Sequence, residues 1–127
     1  MALILDTNAL SALADGDETL EPAVRLASGI ALPVIVLDEY QYGIRRSRNR
    51  KRYERWLAEV IAVCRVLMVD ESTARGYAEI RDELKNLGRP ILSNDLWIAA
   101  LARQHDLPLL SRDGHFDGVP SLKRVGW

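Results

Sequence analysis

Short apolar runs alternate with longer amphipathic stretches along this chain. Ala2–Leu5, Ala31–Leu37, Arg65–Val69 and Leu107–Leu110 place apolar residues side by side rather than at every second position. That pattern predicts strands of a parallel sheet covered on both faces. Leu122–Val125 is a shorter fifth candidate. Between these runs the apolar positions spread out. Tyr53, Leu57, Val60, Ile61 and Cys64 recur at helical spacing, as do Tyr77, Ile80, Leu84 and Leu87. The second of these helices stops at Leu87-Gly88-Arg89-Pro90, a glycine followed by a proline. Ser93–His105 is a third helix, and its middle, Leu96–Ala102, is apolar all round, which predicts a central buried helix. Strand–helix alternation makes the expected fold α/β, with right-handed crossovers and helices on both faces of the sheet. No repeat, low-complexity tract or linker interrupts it, so residues 1–127 are expected to form one domain.

Composition narrows the class. A chain of 127 residues, 48% hydrophobic and 28% charged, can bury a core and need not be disordered. Seventeen basic and eighteen acidic residues give a net charge of −1, which by itself argues against a dedicated nucleic-acid binder. The lone Cys64 excludes an intrachain disulfide and a cysteine-based zinc site, and points to the reducing cytosol. The longest apolar run, Ile30–Leu37, contains Pro33 and is far shorter than the ~20 residues of a membrane span. Met1–Asp6 lacks a basic leader and reaches a carboxylate at position six, unlike a signal peptide. The expectation is a soluble cytoplasmic protein.

In an open parallel sheet, ligands bind beyond the carboxyl ends of the strands. Asp6 directly follows Ala2–Leu5, and Glu39 follows Val34–Leu37 by two residues. Asp113 comes three residues after Leu110, and Asp95 opens the buried helix. These four carboxylates can converge on one rim. Gathered without a partner they would repel one another and be driven to protonate. A divalent cation resolves that conflict, and an all-oxygen shell suits Mg²⁺ or Mn²⁺. Each also has an ordinary explanation: Asp6-Thr7-Asn8 as a helix cap, Glu39 as a solvated helix residue, Asp95 as a complement to a helix dipole, Asp113-Gly114 as a turn. Asp70 also follows an apolar run and reads well as a helix cap, so spacing alone does not separate it from the others.

At these positions the sequence resembles the PIN-domain ribonucleases, and among them the small VapC-type toxins of toxin–antitoxin pairs. Leu3-Ile4-Leu5-Asp6-Thr7-Asn8 is similar to the family's apolar strand ending in Asp-[Thr/Ser]-Asn. Glu39-Tyr40-Gln41-Tyr42-Gly43-Ile44 resembles its second motif, with Tyr40 where leucine is usual. Asn94-Asp95-Leu96-Trp97-Ile98-Ala99-Ala100 resembles the third. Leu109-Leu110-Ser111-Arg112-Asp113 with Phe116 resembles the fourth, with Ser111 where threonine is commoner. The motifs occur in family order across essentially the whole chain, and neither departure removes a carboxylate.

The resemblance implies a three-layer α/β/α sandwich with a parallel sheet in the order 3-2-1-4-5. It places Asp6, Glu39, Asp95 and Asp113 around one or two Mg²⁺ or Mn²⁺ ions, and puts the strand before Asp70 at a sheet edge away from them. It further implies hydrolysis of RNA phosphodiester bonds with water as nucleophile, a homodimer, and a cognate antitoxin laid over the groove. Asp6 and Asp95 are expected to hold the principal metal, while Glu39 and Asp113 complete its shell and either orients the attacking water. Thr7, Asn8 and Ser111 are candidates for fixing carboxylate rotamers. His115 is a lesser candidate for a phosphate contact, and Asp117 a lesser substitute for Asp113. His105 is expected to complement the C-terminal dipole of its helix.

The charge is very uneven. Arg45, Arg46, Arg48, Arg50, Lys51, Arg52 and Arg55 give residues 45–55 a charge of +6, against −7 for the rest. A solvated helix face is the ordinary reading of such a run. Yet these cations lie at the N-terminal side of a helix, where they oppose its dipole. They also begin within two turns of Glu39. An arginine-rich track beside an acidic metal site suits the backbone of single-stranded RNA, although docking of an acidic partner segment is an alternative. Trp56 and Trp97 fall in core registers. Other readings are a PIN-like nuclease of RNA processing without an antitoxin, a catalytically silent PIN-like binding module, and a small Mg²⁺-binding receiver-like signalling domain. Receiver domains carry adjacent acids after their first strand and a late lysine; here that strand ends in Asp6 alone and the only late lysine is Lys123.

Overall fold

The computed structural model describes residues 1–127. In chain order it contains β1 (Leu3–Leu5), α1 (Thr7–Ala14), a 3-10 turn (Glu18–Leu20), α2 (Glu21–Leu26), β2 (Ile30–Pro33), α3 (Val34–Ile44) and α4 (Arg50–Val63). Then follow β3 (Arg65–Leu67), α5 (Glu71–Asn86), α6 (Ser93–His105), β4 (Leu109–Leu110), a 3-10 turn (Gly114–Gly118) and β5 (Arg124–Val125). All neighbouring strands are parallel, in the order β3-β2-β1-β4-β5. This is the expected 3-2-1-4-5 order, and it is not the 2-1-3-4-5 order of small receiver domains. Leaving β1, the chain steps outward to β2 and β3, then reverses across the sheet to β4. With right-handed crossovers, that reversal puts α5 and α6 on the face opposite to α1–α4.

The apolar runs are buried because both faces of the sheet are covered. Leu3, Ile4, Leu5, Ala31, Leu32, Leu67, Leu109 and Leu110 are all at most 3% exposed. Helix α6 buries Leu96, Ile98, Ala99, Ala100, Leu101 and Ala102. Gly76 on α5 faces Ala100 of α6, where a Cβ would stand 3.9 Å from the alanine methyl, so small residues bring these helices close. Trp97 packs on Tyr77 (4.1 Å between ring centres) and Trp56 on Tyr40 (6.1 Å), both in the structural roles their spacing predicts. Tyr53 links α4 to the end of α1 by donating 2.8 Å to Asp15.

The strands are shorter than the apolar runs that mark them. Met68 and Val69 lie exposed beyond β3, and only Leu109–Leu110 of the Leu107–Leu110 run pairs. The main departure is Ala31–Leu37. Its strand ends at Pro33, and Val34–Leu37 forms the first turn of α3. Val36, Tyr40 and Ile44 are the buried positions of α3, spaced four apart. A continuous apolar run is compatible with either element, and only those later residues reveal the helical period. Glu39 therefore sits on the second turn of a helix rather than after a strand. No helix is long and apolar enough to cross a membrane.

Candidate active site

β1 ends where α1 begins, and Asp6 serves both. Its carboxylate caps α1, accepting 2.8 Å from the Ala9 N–H, while its side chain is 5% exposed at the carboxyl end of the central strand. Capping and a place in the acidic rim are therefore not alternatives. Thr7, the first residue of α1, donates 2.7 Å to Glu39 Oε1 and ties α1 to α3. Ser111, fully buried after β4, accepts 3.0 Å from the Asp113 N–H and also favours the ionised form of Asp6. Asn8 lies exposed in the first turn of α1. Asp95 stands in the first turn of α6.

His115 completes the group. Its Nε2 is 3.0 Å from Asp95 Oδ2 and its Nδ1 is 2.7 Å from Asp113 Oδ1. Ligand atoms of Asp95, Asp113 and His115 all lie within 4.8 Å of one another. From sequence alone, His115 is expected to make no more than a phosphate contact. The turn at Asp113-Gly114, capped by Asp113 accepting from the His115 N–H at 3.1 Å, folds the ring back onto the carboxylates. The available signal is a histidine two residues after a capping aspartate.

Three other residues fall outside. Asp70 forms a capping box with Thr73 at the start of α5 and accepts from Gln104, beyond edge strand β3. Asp117 is held by Arg124 through bonds of 2.8 and 2.9 Å. His105 does not act as a helix-end cation: its Nδ1 lies 3.1 Å from Arg65 Nη2, and burial together with the Arg65 charge lowers its pKa.

A PIN-domain family model matches residues 3–122. The chain belongs to the PIN-domain family. Among relatives of this PIN domain, ribonuclease VapC5 of Mycobacterium tuberculosis is 34% identical over 130 residues, covering 96% of this chain and 93% of the relative. Toxin FitB of Neisseria gonorrhoeae is 30% identical over 127 residues, covering 87% of each. The solved structure of VapBC2 from Rickettsia felis, bound to a promoter DNA fragment, aligns with a TM-score of 0.86 at 26% identity, over 100% of this chain and 99% of that one.

The electrostatics of this PIN domain favour a cation. Burial raises the pKa of Asp6, and the Asp113 charge adds to the rise. Burial also raises that of Asp95, where His115 opposes the shift and the charges of Glu39 and Asp113 reinforce it. Asp6 thus feels the charge of Asp113, and Asp95 feels those of Glu39 and Asp113, from partly buried positions at the carboxyl end of the sheet. An oxygen-rich, mutually repelling donor set of this kind fits a hard divalent ion.

The basic segment borders the other end of α3. Arg45 caps that helix, Arg46 and Arg48 lie in the link, and Arg50, Lys51, Arg52 and Arg55 occupy the first turns of α4. Arg45, Arg46 and Arg50 join Tyr42 and Gly43 around a hollow of about 530 Å³. Not all of this charge is free: Arg50 pairs with Glu54 at 2.6 Å, and Arg52 lies 5.2 Å over the Tyr53 ring.

Proposed function

We propose that this protein is an endoribonuclease, the toxin of a toxin–antitoxin pair, that hydrolyses RNA phosphodiester bonds with Mg²⁺ or Mn²⁺. The observation that supports the reading is the close group of Asp95, Asp113 and His115, with the Glu39 charge reaching Asp95 and Asp6 feeling Asp113, in a PIN domain whose relatives are named as a ribonuclease and a toxin. Solved relatives in complex as VapBC and FitAB support a cognate antitoxin as partner.

Asp6 and Asp95 hold the principal ion in this reading, and Glu39 and Asp113 complete its shell. These residues would hold a divalent cation, which when bound would ease formation of a nucleophile from water and offset negative charge on the phosphoryl oxygens. Thr7 fixes the Glu39 carboxylate, so that Glu39 presents one defined oxygen to the ion or to the attacking water. Ser111 steadies Asp6 and the Asp113 turn from beneath. The arginines of residues 45–55 bind the RNA backbone, and the protein works as a homodimer on a single-stranded substrate.

The test is cleavage of single-stranded RNA with Mg²⁺ or Mn²⁺, against EDTA and against Asp6→Asn and Asp95→Asn. Cleavage in the first condition and loss in all the others is expected. Activity that survives EDTA and both substitutions rules out the metal mechanism.

A further inference from the structure

A second cleft opens against the carboxylates and shares no residue with the arginine-lined hollow. It lies between residues 89–92, before α6, and the 3-10 turn at Gly114–Gly118. Two adjoining hollows of about 300 and 380 Å³ share Pro90, Ile91 and His115. Arg89 lines the first and Leu92 the second. His115 is the common wall: one side of the cleft is the ring that touches Asp95 and Asp113 at 3.0 and 2.7 Å. Phe116, buried beneath, packs on that ring at 4.8 Å between centres.

The chemistry of the lining is mixed in a specific way. Ile91 and Pro90 with Leu92, which is 77% exposed, present an apolar surface on which a flat base can lie. Arg89 is exposed, whereas the ion pairs of this protein engage Arg25, Arg50, Arg103 and Arg124. Its stem packs over Gly118, where an added Cβ would meet Arg89 Cδ at 3.5 Å. The acid in the lining, Asp117, is neutralised by the two-pronged contact from Arg124, so it does not repel an anion entering beside Arg89.

We infer that this cleft is a nucleotide subsite of the RNA substrate, in which Arg89 binds the phosphate next to the scissile one and the Ile91–Leu92 surface takes the attached base. The inference rests on the nuclease reading above and adds where that substrate's neighbouring nucleotide is read. Because His115 separates the cleft from Asp95 and Asp113 by a single side chain, the nucleotide held there adjoins the cut. The subsite is thus placed to set which base is accepted beside the scissile bond.

Two substitutions probe it without replacing any of Asp6, Glu39, Asp95 and Asp113. Arg89→Ala removes the cation. Gly114→Leu fills the cleft: Gly114 has no left-handed backbone angle, and the nearest atom to an added Cβ is Asp117 Oδ2 at 4.0 Å. Melting temperatures show whether the filled variant folds, and the exposed Arg89→Ala stands as the independent variant. Binding of a fluorescein-labelled single-stranded RNA of about a dozen nucleotides is followed by anisotropy in EDTA. Arg89→Ala is expected to weaken it about tenfold, the scale of removing one charged hydrogen bond. The same variant lowers the log–log salt slope by about 0.7, the value for one neutralised phosphate on a single strand. Sequenced cleavage products from a randomised RNA are expected to change base preference at the position beside the cut in Gly114→Leu.

Unchanged affinity, salt slope and base preference in both variants, with the parent still binding RNA, overturn the subsite. So does unchanged RNA binding accompanied by weaker binding of a labelled oligo-glutamate peptide, which would assign the cleft to an acidic protein partner. A parent that binds RNA through Arg89 but does not cut it would refute the nuclease reading while leaving the subsite in place.

Discussion

The Thr7 hydroxyl donates a 2.7 Å hydrogen bond to Glu39 Oε1, joining the first turn of α1 to the second turn of α3 across thirty-two residues of sequence. A carboxylate on a helix otherwise samples several rotamers, so this bond decides where Glu39 presents its oxygens. Thr7→Val keeps the shape and removes the donor. It is expected to lower Mn²⁺ affinity and RNA cleavage roughly 10–100-fold, the range for partners that orient metal ligands. Thr7→Ser restores both. Calorimetric titration with Mn²⁺ alongside initial rates checks this, and equal values for Val and wild type would remove Thr7 from the site.

Asp6 and Asp95 contribute a distinct pH dependence to the metal-free fold. Both pKa values are raised, first by burial. The fold therefore prefers their protonated forms. Their contribution to stability is full below the unfolded carboxylate range and is lost as pH rises through the raised folded values. At neutral pH in EDTA, Asp6→Asn and Asp95→Asn should melt a few degrees above wild type, since asparagine carries no charge and at position 6 can still cap α1. Added Mn²⁺ should raise the wild-type melting temperature and leave both variants nearly unmoved. Melting curves at acid and neutral pH, with and without Mn²⁺, measure all of this. Variants that melt below wild type at neutral pH in EDTA would contradict it.

The arginine segment is expected to act through the RNA backbone rather than through bases. Replacing Arg45, Arg46 and Arg50 together by alanine should weaken single-stranded RNA binding uniformly across sequences. The log–log salt slope should fall by about 0.7 for each phosphate no longer neutralised. Loss of Arg50 also frees Glu54, so its single substitution should cost more than that of Arg45. Filter binding at several salt concentrations reads the slope; a slope that does not change places the segment outside the RNA path.

Tyr40 is a case of stability left unrealised. Its ring is 3% exposed between Tyr53 and Trp56, and its hydroxyl is buried without a hydrogen-bond partner. Burial pushes its pKa up to about 12, so it stays a neutral phenol. Tyr40→Phe removes the unpaired hydroxyl and keeps the ring. A gain of about 1 kcal/mol in unfolding free energy is expected, the lower end of the cost of an unsatisfied buried group. Urea unfolding at neutral pH tests it, and a clear loss would show that the hydroxyl has a partner.

Much of this architecture is legible in the chain. Apolar runs too continuous for a half-exposed sheet announce buried parallel strands, and the all-apolar Leu96–Ala102 announces a central helix. Those signals are local: each is written in neighbouring residues whose burial depends on their own character. Asp6, Asp95 and Asp113 are legible in the same way, because each lies just after or at the start of an element whose pattern is clear; Glu39, on the second turn of α3, is not. Where two elements fit one pattern, as at Val34–Leu37, local reading fails. Pro33 ends the strand, but the helix is recognisable only from Tyr40 and Ile44 further on.

Tertiary structure alone decides which charged groups share a space. Asp6, Asp70 and Asp117 each cap or flank an element and are alike in sequence. The order of strands leaves Asp70 beyond an edge, Arg124 claims Asp117, and Asp6 alone is buried beside Asp113. His115 meets Asp95 for the same reason: residues twenty apart in sequence are joined by folding, and no spacing rule encodes their 3.0 Å contact. The chain by itself determines each side chain's chemistry and the period of its element. Charge interaction falls off with distance through space, and distance through space is set only when the sheet closes and the helices pack.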